Sequence, residues 1–97
     1  MILNEVNNLD TEETNKSYNV DCNGISNVEE LFFNAYSSIR VYVKVNGENR
    51  VIRIPRSDWI ILKRVLSEKI EEYNGTINIE QDTQIFNAPV IRYTYKW

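Results

Sequence analysis

The sequence predicts one α+β domain, a two-layer sandwich in which a four-stranded antiparallel sheet carries two helices on one face, in the order α-β-β-α-β-β. Three observations predict this fold. Two segments have the helical spacing of apolar residues, a hairpin signature lies between them, and apolar and polar residues alternate in residues 76–81 and 90–97. A chain of 97 residues that is 42% hydrophobic is large enough for one hydrophobic core and too short for two.

Residues 1–24 are expected to form a loosely ordered acidic arm in front of this domain. Asn, Asp, Glu, Thr and Ser dominate from residue 4 onward, and apolar residues are sparse. So few apolar groups cannot offset the entropy of ordering the segment. The domain itself is then assigned to residues 25–97.

A first helix is predicted to begin at Ser26. The Ser26 hydroxyl and the Glu29 carboxylate are spaced as in a capping box, which satisfies free backbone N–H groups at a helix start. Apolar residues then follow at intervals of three and four: Val28, Leu31, Phe32, Ala35 and Tyr36. This spacing indicates one buried stripe along the helix.

A β-hairpin is predicted over residues 39–54. Residues 39–45 alternate between apolar and polar, and the pair Asn46-Gly47 favours a tight turn. A loop with an even number of residues places Val41 and Val43 on the same face as the isoleucines of the second strand. The opposite face then carries Arg40, Tyr42, Lys44, Val51 and Arg53.

A second helix is predicted from Ser57, a suitable N-cap, to about Tyr73, where Asn74-Gly75 is a typical helix stop. Its buried stripe consists of Trp59, Leu62, Leu66, Ile70 and Tyr73. Ile60 and Ile61 lie outside this stripe. Two interpretations stay open for them: packing beneath the arm or a loop, or an apolar contact with a partner.

Two further strands are predicted after the second helix. Residues 76–81 alternate with Ile77 and Ile79 inward, and a turn is expected near Asp82. Pro89 indicates an edge or a bulge. The final strand, residues 90–97, places one set of side chains on the buried face: Ile91, Tyr93, Tyr95 and Trp97.

The composition argues against an enzyme. The chain has no histidine, and its one cysteine, Cys22, has no imidazole to activate it. Its three glycines each follow an asparagine and form no phosphate-binding loop. Adjacent acids on a helix point about 100° apart, so they do not converge. We therefore expect no catalytic residue, no cofactor and no bound metal.

A cytoplasmic location, in a bacterial host or a phage-infected cell, is also expected. No apolar run approaches the roughly 20 residues of a membrane span, and the first residues lack the basic and apolar regions of a signal peptide. A high asparagine content, together with isoleucine, lysine and tyrosine, is typical of proteins from AT-rich genomes.

Charge segregation favours a protein-binding function. Residues 1–36 contain seven acids and one lysine, whereas residues 37–57 contain five cations and one acid. An acidic surface that includes Glu12, Glu13, Glu29 and Glu30 is expected to contact a larger protein that is basic or binds nucleic acid. The favoured hypothesis is a stoichiometric inhibitor of a nucleic-acid-handling protein. Anti-defence proteins of phage, such as anti-CRISPR proteins, as well as immunity proteins and antitoxins, belong to this class.

An alternative hypothesis is binding of single-stranded nucleic acid to the outward face of the sheet. Cations there would hold phosphates while an aromatic ring stacks on a base. The residues predicted for this face are Arg40, Tyr42, Lys44, Arg53 and Arg92. A small-molecule enzyme is the third and least favoured hypothesis.

Overall fold

The computed structural model describes residues 1–6, 14–33, 37–85 and 87–97. Within these residues, β1 (Ile2–Val6) and β2 (Thr14–Asn19) form a two-stranded antiparallel sheet. The remaining strands form a five-stranded antiparallel sheet in the order β5-β4-β3-β7-β6. Their bounds are β3 (Ile25–Phe32), β4 (Ser37–Val45), β5 (Glu48–Ile54), β6 (Thr76–Ile85) and β7 (Ala88–Lys96). The helix α1 (Arg56–Glu72) and a 3₁₀ turn (Cys22–Gly24) complete the described elements.

The prediction of a four-stranded sheet with two helices is wrong. The described residues are mostly β, with a single α-helix, and the segment predicted as the first helix is β3, the central strand of the larger sheet. Because β3 is covered on both faces, the consecutive residues 28–31 are all buried. The spacing from Val28 to Leu31 therefore reflects two buried faces of a strand rather than one buried stripe of a helix. Ala35 and Tyr36 lie outside the described residues.

The predicted hairpin is confirmed as β4 and β5. Ile39 lies opposite Ile54 and Val41 lies opposite Ile52, as an even loop requires. The loop has two residues, Asn46 and Gly47, with φ values of 50° and 82°. Positive φ at both central positions is the geometry that matches the twist of the flanking strands.

The predicted second helix is confirmed as α1, but it begins at Arg56 with Pro55 at the N-cap, so Ser57 is not the cap residue. Its buried residues are Trp59, Leu62, Leu66 and Ile70, all from the predicted stripe. Tyr73 was expected to be buried, but it is 51% exposed because the helix has already ended and its ring packs edge-on against Trp97, with centroids 5.4 Å apart.

The last strand keeps its predicted facing, whereas Ile79 on β6, which was predicted to be inward, is 50% exposed. Tyr93 and Tyr95 on β7 are buried, and Ile91 and Trp97 pack against the core as expected. The expected turn near Asp82 is absent: β6 continues to Ile85 and only its register shifts between residues 80 and 83. A β-bulge accommodates extra residues in one strand of a pair without ending that strand.

The segment expected to be a loose arm contains β1 and β2. Leu3 and Val20 are 4% exposed and belong to the hydrophobic core cluster, and the main chain of Val20 donates a hydrogen bond to the carbonyl of Met1. The part of the arm that holds Glu12 and Glu13 lies outside the described residues.

The core lies between one face of the five-stranded sheet, here called the inner face, and α1. Trp59 is its largest fully buried side chain, and its ring meets that of Tyr93 edge-on at 5.1 Å between centroids. Edge-to-face pairs of this kind add to the stabilisation that burial alone provides. The opposite face of the sheet is called the outer face below.

Gly75, directly after α1, occupies a position with no room for a side chain. A Cβ atom there would lie 2.4 Å from the carbonyl oxygen of Lys96 and 2.7 Å from Cδ1 of Ile70. We expect Gly75→Ala to lower the free energy of unfolding by about 2 kcal/mol, because the helix end and β7 must separate. Urea denaturation measures the change.

Gly47→Ala is the matched control for Gly75→Ala. No atom lies within 4 Å of a Cβ built on Gly47, so its cost comes from its positive φ of 82° alone. That cost is about 1 kcal/mol. A Gly75→Ala variant no less stable than Gly47→Ala would contradict the close packing of the helix end.

Candidate functional site

A row of charged residues crosses the outer face of the five-stranded sheet, one from each strand. From β5 to β6 the row reads Arg53, Arg40, Glu29, Arg92 and Glu80. Glu29 is on the central strand and is only 3% exposed. Its direct neighbours in both flanking strands are arginines, so the buried carboxylate is paired on each side.

Both oxygens of Glu29 accept hydrogen bonds. Arg92 donates to Oε2 from Nε at 3.1 Å and from Nη2 at 2.7 Å. The hydroxyl of Tyr42 donates to Oε1, and that hydroxyl accepts a hydrogen bond of 2.9 Å from Nη2 of Arg40. Nε of Arg40 lies 3.9 Å from Oε1. The four side chains form one connected network, here called the Glu29 network.

The surroundings of Glu29 hold its carboxyl in the ionised form. Burial by itself would raise its pKa, but the hydrogen bonds from Tyr42 and Arg92 and the charges of Arg40 and Arg92 together lower the pKa below its usual value of 4.5. Burial and the bond to Glu29 raise the pKa of Tyr42. At neutral pH the network therefore holds a carboxylate and a protonated phenol, with no proton ready for transfer.

The structure does not bring the four predicted acidic residues together. Glu29 and Glu30 are 3% and 6% exposed and point to opposite faces of the sheet, since neighbouring residues of a strand alternate. On the inner side, Glu30 accepts a 3.4 Å hydrogen bond from the Tyr93 hydroxyl and lies 3.8 Å from Nη1 of Arg56. Glu12 and Glu13 lie outside the described residues.

The residues predicted for a nucleic-acid-binding face do share one side of the sheet. Strand pairing places all five on the outer face, with Lys96 as a further cation: Arg40, Tyr42, Lys44, Arg53 and Arg92. Arg53 also donates a 3.4 Å hydrogen bond to the carbonyl of Val6, which ties β1 to β5. The alternation in the sequence did not indicate that Glu29 lies among these cations on the outer face.

The hairpin tip holds an aromatic group that sequence reasoning missed. The ring of Tyr18, on β2, lies between two cations, with Nζ of Lys16 at 5.1 Å and Cζ of Arg50 at 5.5 Å from its centroid. Arg50 lines two separate open grooves, of about 550 and 460 Å³. Tyr42 and Lys44 line the larger groove, and Tyr18 and Lys16 line the other.

Apolar side chains are exposed on the other side of the molecule, where α1 passes β1. Ile60 is 56% exposed, Ile61 is 66% exposed and Ile2 is 60% exposed. Ile61 and Ile2 line a groove of about 290 Å³ whose floor includes Leu3, Leu62 and Val65. We call Met1, Ile2 and Ile61, together with the adjacent Ile60 of α1, the α1–β1 surface; Ile60 is exposed but does not line the groove. Ile60 and Ile61 are both left uncovered by the segments that the structure describes.

Nothing in the described ranges forms a group of three or more acidic or cysteine side chains able to hold a metal ion. The helix in these ranges is too short and too polar to cross a bilayer. No family model matches the chain, and neither the curated proteins nor the solved structures contain a match. The surfaces described above are therefore the basis for a proposed function.

Proposed function

We propose that the chain is a non-catalytic protein-binding module and that it contacts its partner through the α1–β1 surface. The observation that carries this proposal is the exposure of Ile60 and Ile61 at 56% and 66% on an otherwise amphipathic helix. Aliphatic side chains grouped on one surface, with more of them on the neighbouring strand, are typical of a protein interface.

The residues around the α1–β1 surface indicate the chemistry of the partner. Arg56 and Arg64 lie one turn before and one turn after Ile60 on α1, and both are exposed. Arg56 reaches Glu30 only at 3.8 Å and its side chain stays 56% exposed. A partner with an apolar pocket rimmed by carboxylates would complement this arrangement, because rim charges steer association and fix the register.

The α1–β1 surface replaces the acidic surface that the sequence predicted as the contact with a partner. Binding through an acidic surface needs exposed carboxylates, but Glu29 and Glu30 are buried and paired within the sheet. The stoichiometric mode of action stays part of the proposal. Inhibition of a nucleic-acid-handling protein is its more specific form, supported by the separation of acidic and basic segments along the chain.

The double variant Ile60→Ser/Ile61→Ser tests the proposal. Burial of an isoleucine at an interface contributes about 1.5 kcal/mol, so losing two should weaken partner binding by about 100-fold. Tagged wild-type and variant chains would be used to capture a partner from host cells, and the affinity of the identified partner measured by calorimetry. Folding should be unaffected because both side chains are exposed.

The matched control is Val51→Ser/Ile79→Ser, which removes two aliphatic side chains of similar exposure, 46% and 50%, from the sheet. It should bind the partner like the wild type. Equal affinity of the Ile60→Ser/Ile61→Ser variant and the wild type would rule out the α1–β1 surface as the interface.

A further inference from the structure

The outer face has a charge opposite to that of the whole chain. Its strand positions carry the cations Arg40, Lys44, Arg53, Arg92 and Lys96, and the acids Glu29 and Glu80. Counted over the paired strand positions that the structure describes, the face holds a net charge of five minus two, or +3, in a chain whose formal charge is −3. The rest of the chain then sums to −6. A local potential of this sign attracts an anion even though the protein is acidic.

The Glu29 network orients two of these cations. Arg40 and Arg92 are held by hydrogen bonds from one side, yet 27% and 32% of their side chains stay exposed. Glu29 itself is 3% exposed, so an anion on this face would meet guanidinium groups rather than the carboxylate. Arginines fixed in this way lose less conformational entropy when they bind a phosphate.

Aromatic rings lie beside the cations at two points. Tyr42 is anchored through its hydroxyl in the Glu29 network, with Cζ of Arg40 5.7 Å from its ring centroid. Tyr18 lies between Lys16 and Arg50 near the hairpin tip. Arg50 lines both of the grooves that these rings line, and its strand position opposite Val43 puts it on the inner side of the hairpin.

Alternating cations and aromatic rings along a groove suit a flexible polyanion with flat, stackable groups. Phosphates are bound by the cations and bases stack on the rings, whereas a paired duplex keeps its bases unavailable for stacking. We infer that the outer face and the adjoining hairpin tip bind single-stranded nucleic acid, with Tyr42 and Tyr18 as stacking positions and Arg40, Arg92, Lys44 and Arg50 as phosphate contacts. This inference uses residues outside the α1–β1 surface and does not depend on the proposed function, although Tyr18 lies directly opposite Leu3 in the β1–β2 sheet.

Fluorescence anisotropy with labelled 12-nucleotide single strands, DNA and RNA, at low salt tests the inference on the full chain. With about four phosphate contacts, the logarithm of the association constant should fall with the logarithm of salt concentration at a slope of about −3. The variant Lys44→Ala/Arg50→Ala removes two exposed cations and should weaken binding at least about tenfold and reduce the slope by about 1.4.

The control Lys63→Ala/Arg64→Ala removes the same charge from α1 and should bind like the wild type, as should Ile60→Ser/Ile61→Ser. Absence of binding by the wild type at low salt would overturn the inference. So would equal weakening by both charge variants, or affinity for duplex DNA or polyglutamate as high as for the single strands, because either result would show attraction by charge alone. Circular dichroism confirms that each variant is folded.

Discussion

Glu29→Ala is expected to lower the free energy of unfolding by about 3 kcal/mol, a large effect for a residue whose spacing indicated a helix surface. The carboxylate is 3% exposed and is bonded to Arg92 and Tyr42. Its removal leaves two guanidinium groups facing each other across the central strand without the anion between them. Chemical denaturation of the purified variant measures the loss.

Glu80→Ala is the matched control because Glu80 lies in the same row but is exposed on the edge strand β6. Its effect should stay within about 0.5 kcal/mol. A loss no larger for Glu29→Ala than for Glu80→Ala would show that the Glu29 network does not stabilise the sheet.

The Glu29 network also predicts how stability depends on pH. The folded-state pKa of Glu29 lies below its usual value of 4.5, so the stabilisation from its charge is fully present above that value. It is lost as the pH falls through the lower, folded-state pKa. In Glu29→Gln, which has no charge to lose, stability should fall less steeply over this acidic range than in the wild type.

Trp59→Ala is expected to have the largest effect, a loss of about 4 kcal/mol in the free energy of unfolding. Trp59 is 1% exposed, lies between α1 and the inner face, and its ring meets Tyr93 edge-on. Because a domain of this size has a total stability of about 5–15 kcal/mol, the variant should be close to unfolding at room temperature. Guanidinium titrations followed by far-ultraviolet circular dichroism measure the loss.

Ile61→Ala serves as the control for Trp59→Ala on the same helix. Ile61 is 66% exposed, so its truncation should change stability by no more than about 0.5 kcal/mol. If Trp59→Ala and Ile61→Ala were equally stable, α1 could not pack on the sheet in the orientation described.

The parts of the fold that depend on local patterns were predictable from the sequence. Turn geometry at Asn46-Gly47 and the alternation around it determine the β4–β5 hairpin and its register. The apolar stripe of α1 and the left-handed Asn74 after its end, with φ of 56°, determine the helix. In both cases the relevant contacts are made by residues close in sequence, so local rules suffice.

The central strand could not be recognised in this way. One of its two pairing partners, β7, begins more than 50 residues later, and coverage on both faces gives β3 a burial pattern without alternation. An apparent capping box at Ser26 added a second local signal for a helix. In the structure the Ser26 hydroxyl instead bonds the side chain of Asn27 and the carbonyl of Tyr42. Non-local pairing therefore overrides local propensity here.

The candidate surfaces were predictable to different degrees. Alternation was enough to place Arg40, Tyr42, Lys44 and Arg53 on one side of the hairpin. The burial of Glu29 and Glu30 depends on β3 being the central strand, which was not predicted. Tyr18 lies near Arg50 only because β2 packs on the hairpin tip. Ile60 and Ile61 were noticed as exceptions to the helical stripe, and the structure leaves both exposed.

The position of β7 has a consequence for how the chain folds. This strand is inserted between β3 and β6, so the hydrogen bonds on one edge of β3 have no partner until residues 88–96 are available. During synthesis, β4 and β5 can pair early, but this edge of β3 stays unpaired until residues 88–96 have left the ribosome. Such late closure makes folding slow, and until then an unpaired strand edge is open to aggregation.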